Sequence, residues 1–159
     1  MATQYYLLSC ELCGQSGHDA GRALLARLYR THVGTTMPEI LTTPQGKPYF
    51  SEGPWHFSIT HTPRHAFCVL ANSPVGIDAE EQDRPIRLSL AEKILSDAEL
   101  ARFHAADDPR QALLRLWVLK EADAKRTSVG IGFHPRHTDF SPDDPRIQCC
   151  DGCFVAVVL

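Results

Sequence analysis

The chain has 159 residues, 43% of them hydrophobic, which is enough for one well-filled core and too many for a disordered or fibrous protein. Its 16 Lys and Arg against 19 Asp and Glu leave a formal charge of −3, which gives no global electrostatic reason to bind nucleic acid. No run is long and apolar enough to span a bilayer, and the stretch before Leu7-Leu8-Ser9-Cys10 lacks the basic residue and apolar length of a leader, so a cytoplasmic protein is expected.

Gln4 to Cys10 reads as a strand. His18 to His32 reads as a helix, because Leu24, Leu25 and Leu28 recur at helical spacing while Arg22, Arg27 and Arg30 take other positions. Gly34 to Phe50 is mostly loop, and its breaker cluster Gly46-Lys47-Pro48 exposes a lysine. Trp55 to Thr60 and Ala66 to Ala71 are expected strands, after which Asn72-Ser73-Pro74 turns the chain into a third strand through Val75-Gly76-Ile77. Beyond the polar Glu81 to Arg87 loop come a helix near Leu90 to Leu95 and a second one started by the capping-box spacing of Ser96 and Glu99. Asp107-Asp108-Pro109 breaks that helix. Arg110 to about Arg126 forms the longest helix, with Leu113, Leu114, Trp117 and Val118 on its apolar face. Arg146 to Cys150 and Cys153 to Val158 flank Asp151-Gly152, a two-residue hairpin signal. Helix and strands in each half give an α+β expectation with two units, 1–73 and 74–159, in one compact body.

Two motifs carry chemistry. Asp78 and Glu80 are two apart on a strand and so point to one side, while Glu121 and Lys125 are four apart on one helix face. Together they could hold a divalent metal against a phosphate. The six cysteines include Cys10-Glu11-Leu12-Cys13 and Cys150-Asp151-Gly152-Cys153, whose spacing would also suit a structural zinc site, although a hairpin and reduced thiols explain them equally, with Cys68 a small buried hydrophobe. Trp117, beside Leu113 and Leu114, reads as core.

From about Arg22 through Phe140 the chain resembles the Sfp-type 4′-phosphopantetheinyl transferases. The resemblance rests on Gly46-Lys47-Pro48, on Phe57-Ser58-Ile59-Thr60-His61-Thr62, on Gly76-Ile77-Asp78-Ala79-Glu80, on Leu95-Ser96 with Glu99, and on Trp117-x-x-Lys120-Glu121-Ala122-x-x-Lys125. It implies an enzyme that moves the phosphopantetheine arm of coenzyme A onto a serine of an acyl or peptidyl carrier protein, releasing 3′,5′-ADP. It implies Mg²⁺, or Mn²⁺ in its place, on Asp78, Glu80 and Glu121, with Glu121 and Lys125 catalytic. Coenzyme A would be met by Arg22, Lys47, Thr60, His61, Asp78 and Lys125.

The implied fold is two ferredoxin-like α/β halves related by a pseudo-twofold. About 75 residues precede the Gly-Ile-Asp block, unlike the small trimeric synthases of the family, which favours a monomer. Arg27, Arg30 and Arg115 are candidates for a carrier-facing lip. Ser58 stands where the family usually has asparagine, no Lys or Arg precedes Arg22, and Gly130-Ile131-Gly132 stands where a longer loop is common. Two other readings remain at this stage: an inactive relative that binds coenzyme A or a carrier protein, and a zinc-stabilised interaction domain built on the two Cys-x-x-Cys units.

Overall fold

A computed structural model of the chain describes residues 3–128 and 135–159; Gly130-Ile131-Gly132 lies outside the described residues. Strand β1 (Tyr5–Glu11) leads into helix α1 (Gly17–His32), whose first turn is capped by the Ser16 hydroxyl accepting from Asp19 N at 3.0 Å. Strands β4 (His56–His61) and β5 (His65–Ala71) complete an antiparallel sheet in the order β1-β5-β4. Between α1 and β4 the expected loop contains a small hairpin of β2 (Ile40–Thr42) and β3 (Pro48–Phe50). Two strands of three residues, one of them beginning at a proline, are too short for their alternation to show in a sequence.

The second half repeats this order. Strand β6 (Gly76–Glu81) is followed by helices α2 (Ala91–Ile94), α3 (Asp97–Ala105) and α4 (Pro109–Thr127), then by strands β7 (Ile147–Cys150) and β8 (Cys153–Val158) in the order β6-β8-β7. In each half a strand, a long helix and two further strands form a three-stranded antiparallel sheet with the last strand in the middle. The β7–β8 turn has positive φ at Asp151 (52°) and Gly152 (72°), the backbone that the Asp-Gly pair favours. The capping box is also formed: Ser96 Oγ accepts from Glu99 N, and Glu99 Oε2 accepts from Ser96 N. The α+β expectation holds.

Strand alternation sets the layers. On the first sheet Ala66, Cys68 and Leu70 face α1 with Leu24, Leu25 and Leu28, while Phe67, Val69 and Ala71 face the second sheet. There they meet Ile77, Ala79, Cys153, Val155 and Val157; on its other face the second sheet offers Phe154, Ala156 and Val158 to Leu114, Val118 and Leu119 of α4. The stack is therefore helix, sheet, sheet, helix. Cys68 is wholly buried, and burial pushes its thiol up to about 12, so it behaves as an apolar side chain.

Two contacts fix α4. A Cβ on Gly76 would overlap the Ala122 carbonyl oxygen and lie 2.5 Å from Arg126 N, so β6 and α4 touch backbone to backbone at a point where only glycine fits. On another side of α4, Lys120 Nζ reaches Glu99 Oε2 at 2.6 Å, Pro135 O at 2.6 Å and Thr138 Oγ1 at 2.7 Å. Glu99 Oε1 accepts from Phe140 N at 2.8 Å, so every donor of the ammonium and both carboxylate oxygens are occupied although neither side chain meets solvent.

Two stability measurements follow. Gly76→Ala should lower the urea-derived unfolding free energy by at least ~3 kcal/mol or prevent folding, since the clash is with backbone on both sides. Lys120→Met should cost about 3–5 kcal/mol because it strands the Glu99 charge, whereas the double variant with Glu99→Gln should recover much of that loss.

Candidate active site

Because Ile77 and Ala79 turn toward the first sheet, Gly76, Asp78 and Glu80 turn toward α4. Along α4, Trp117, Glu121 and Lys125 recur every four residues and form a stripe above that strand. The close approach at Gly76 brings the two rows together. Asp78 Oδ1 accepts from Lys125 Nζ at 2.7 Å and from Thr60 Oγ1 at 3.2 Å, while its Oδ2 is buried with no hydrogen-bond partner among the described residues. Glu80 Oε1 accepts from the Trp117 indole at 3.2 Å and from Arg84. Lys125 thus pairs with Asp78, not with Glu121 one turn away.

The first sheet supplies the opposite wall. β4 and β6 are adjoining edges, and hydroxyls on β4 bridge them: Ser58 Oγ accepts from Ile77 N at 3.2 Å, and Thr60 Oγ1 joins Asp78 and Lys125. The Ser58 hydroxyl thus satisfies an edge N–H of β6. Thr60 is 7% exposed and its hydroxyl belongs to the Asp78–Lys125 network. His61, exposed at the strand end, packs its ring on α1, where a Cβ at Gly17 would overlap it.

Two clefts share Ile59, Glu121 and Lys125. The first, of about 340 Å³, is lined also by Thr60, His61, Asp78, Glu80 and Trp117. The second, of about 300 Å³, runs toward Gln45, Gly46, Lys47, Pro48, Ser58 and Ser128. Lys47 donates to the Arg126 carbonyl at 3.0 Å at the end of α4; burial, then the Arg126 charge, lowers its pKa. Arg22 lines neither cleft. Of the arginines considered for a docking lip, Arg27 and Arg30 are exposed on α1, whereas Arg115 lies over the Phe154 ring at 4.7 Å and donates to Pro142 O.

The acids repel one another in a poorly solvated place. Burial is the main cause raising the pKa of Asp78, Glu80 and Glu121 alike, with Lys125 opposing it at Asp78, Arg84 opposing it at Glu80, and the Asp78 charge adding to it at Glu121. Hard oxygen donors, an orphaned buried Oδ2 and mutual repulsion fit a divalent cation such as Mg²⁺. As they stand, no three His, Cys, Asp or Glu side chains among the described residues are gathered closely enough to hold one.

The zinc-stabilised reading gains no support either, since no thiol cluster is gathered among the described residues. Cys10 packs on the α1 side of the first sheet and Cys153 on the sheet-to-sheet side, so these two thiols occupy different layers, and all six thiols are free. The core expectation for Trp117 holds in part. The side chain is half-buried against the α2–α3–α4 core, and it also lines the acidic cleft and holds Glu80. Arg84 was not singled out from the sequence; it lies in the loop after β6, where no spacing rule forecasts its pairing with Glu80.

Sequence comparison sets this site in a family. The pattern of the 4′-phosphopantetheinyl transferase superfamily matches residues 74–151, which hold the two acidic strand positions and the whole α4 stripe. The 4′-phosphopantetheinyl transferase psf-1 of Bacillus pumilus is 33% identical over 125 residues, 72% of this chain and 53% of its own length. AcpT of Salmonella typhi is 36% identical over 112 residues, 67% of this chain and 56% of its own, and gsp of Aneurinibacillus migulanus is 28% identical over 142 residues, 82% and 57% respectively. The chain belongs to the 4′-phosphopantetheinyl transferase superfamily. It spans about half the length of the curated relatives it matches.

The raised acids give a signed expectation. The folded chain retains protons that the unfolded chain has lost, so the cluster's contribution to stability worsens as pH rises from the ordinary carboxylate range through the raised values. Glu121→Gln should therefore raise the thermal midpoint of the metal-free protein at about pH 7.5, and that gain should fade as pH falls through the raised carboxylate range, where Glu121 takes up its own proton.

Proposed function

We propose that the protein transfers the 4′-phosphopantetheine arm of coenzyme A to a serine of an acyl or peptidyl carrier protein, converting apo carrier to holo. The observation that carries this reading is the buried Asp78 carboxylate, with one oxygen on Lys125 and the other orphaned, in a cleft shared with Glu80 and Glu121. Three acids beside two cations form a place for a further positive charge and an anion that travels with it.

Asp78, Glu80 and Glu121 would hold a Mg²⁺ or Mn²⁺ ion, which supplies charge neutralisation at the diphosphate of coenzyme A. Lys125, one turn beyond Glu121, offers its ammonium to the transferring phosphate, oriented by Asp78 and Thr60. Glu121, its pKa raised by burial and by Asp78, is suited to accept the proton of the carrier serine. The serine oxygen then bonds to the phosphorus on the pantetheine side, the bond from that phosphorus to the bridging oxygen breaks, and 3′,5′-ADP departs with the electron pair.

The nucleotide end is read onto the second cleft, whose Gly46-Lys47-Pro48 rim and half-buried Lys47 suit an adenine and its phosphate, with exposed His61 at the mouth of the first cleft. Arg22, on neither cleft, is the least supported of the coenzyme A contacts. Residues of both sheets meet at one cleft within a single chain, which supports action as a monomer, and no described helix is long and apolar enough to cross a membrane. Cytoplasmic residence goes with these substrates as part of the proposal.

Incubation with coenzyme A, Mg²⁺ and a panel of apo carrier proteins should add one phosphopantetheine to the carrier serine, read by mass spectrometry. Glu121→Gln should reduce the rate at least ~100-fold while the far-UV spectrum is unchanged. Binding of coenzyme A or carrier with no mass gain across the panel would favour an inactive relative instead.

A further inference from the structure

Glu80 is the acid of the cleft paired with Arg84, a partly exposed cation. Its Oε1 takes the Trp117 indole N–H and the guanidinium of Arg84, which follows the end of β6 through a turn. The chain neighbours Glu81 and Asp83 are taken by Arg64, whose Nη2 lies 3.0 Å from Glu81 Oε2 and 3.0 Å from Asp83 Oδ1, while Glu121 feels the Arg84 charge at a distance. That leaves Glu80 as the partner of Arg84. The Arg84 backbone is anchored, with N donating to Glu81 O at 2.9 Å, O accepting from Arg110, and Pro85 following. Its side chain, 42% exposed, can swing into water without desolvation.

We propose that Arg84 is a resident counter-cation of Glu80, displaced when a divalent ion enters the cleft, and that it thereby sets the affinity for that ion. The inference rests on the divalent-ion reading above. It accounts for two facts together: Asp78, Glu80 and Glu121 line one cleft, yet no three such groups are gathered as a cage among the described residues. Glu80 is turned toward Arg84 and Trp117. Ion entry must exchange a guanidinium for a doubly charged cation at that carboxylate, and the repulsion between the two cations weakens ion binding.

The test is a calorimetric titration of the metal-free protein with Mn²⁺, needing neither coenzyme A nor carrier. Arg84→Gln should bind Mn²⁺ at least about fivefold more tightly with unchanged stoichiometry. Arg84→Lys, which keeps the charge, should stay within about twofold of the parent, as should Arg87→Gln, which removes an exposed charge nearby that does not touch Glu80. In a Trp55→Phe background, Mg²⁺ should shift Trp117 emission as Glu80 reorients. Equal or weaker Mn²⁺ binding by Arg84→Gln, with the parent binding normally, overturns the counter-cation and leaves the metal site standing. No binding by parent or variant overturns both.

Discussion

Everything at the cleft depends on a missing side chain. Gly76 lets the β6 backbone lie directly against the α4 backbone at Ala122 and Arg126, and that spacing decides how far Asp78 and Glu80 stand from the Trp117, Glu121 and Lys125 stripe. Any larger residue would lift the helix, and the bonds from Lys125 to Asp78 and from Trp117 to Glu80 would lengthen together. The pleat then does the sorting: odd positions of β6 feed the core between the sheets, even positions feed the cleft.

A site of this kind is bought with stability. Three carboxylates are kept where burial penalises their charge, and among the described residues Lys125 and Arg84 are the cations paired with them. The surrounding packing supplies the compensation: two sheets share one apolar layer, and each carries a helix on its other face. Hydroxyls finish the job at the seam, where Ser58 satisfies an edge N–H of β6 and Thr60 orients Asp78. Strand and helix thus hold the acids, while Arg84, the more exposed of their two cations, reaches in from the loop after β6.

Much of this was legible in the sequence because local rules governed it. Asp151-Gly152 announced a hairpin through its positive φ values, Ser96 and Glu99 announced a helix start, and the two-residue spacing of Asp78 and Glu80 placed both on one face. What stayed hidden depended on partners far along the chain. The three-residue strands β2 and β3 carry too little pattern to read; the Ser58 bond to Ile77 needs two strand edges to meet; and Lys120 looks like any lysine on a helix until α3 and the segment from Pro135 to Phe140 close over it. Trp117 was read as core because its neighbours on α4 are apolar, and the indole N–H finds Glu80 only once β6 lies beneath it. Zinc was suggested by spacing alone, and spacing cannot say which face of a sheet a thiol occupies.

Glu99 and Lys120 have a consequence for how loss-of-function data should be interpreted. Lys120 adjoins Glu121, and Glu99 both starts α3 and steadies the chain near Phe140, so changing either alone leaves an ion without its counterpart in a dry interior. A survey that scored only turnover would rank this pair among the reacting groups. Their phenotype would in truth be that of a mispositioned scaffold.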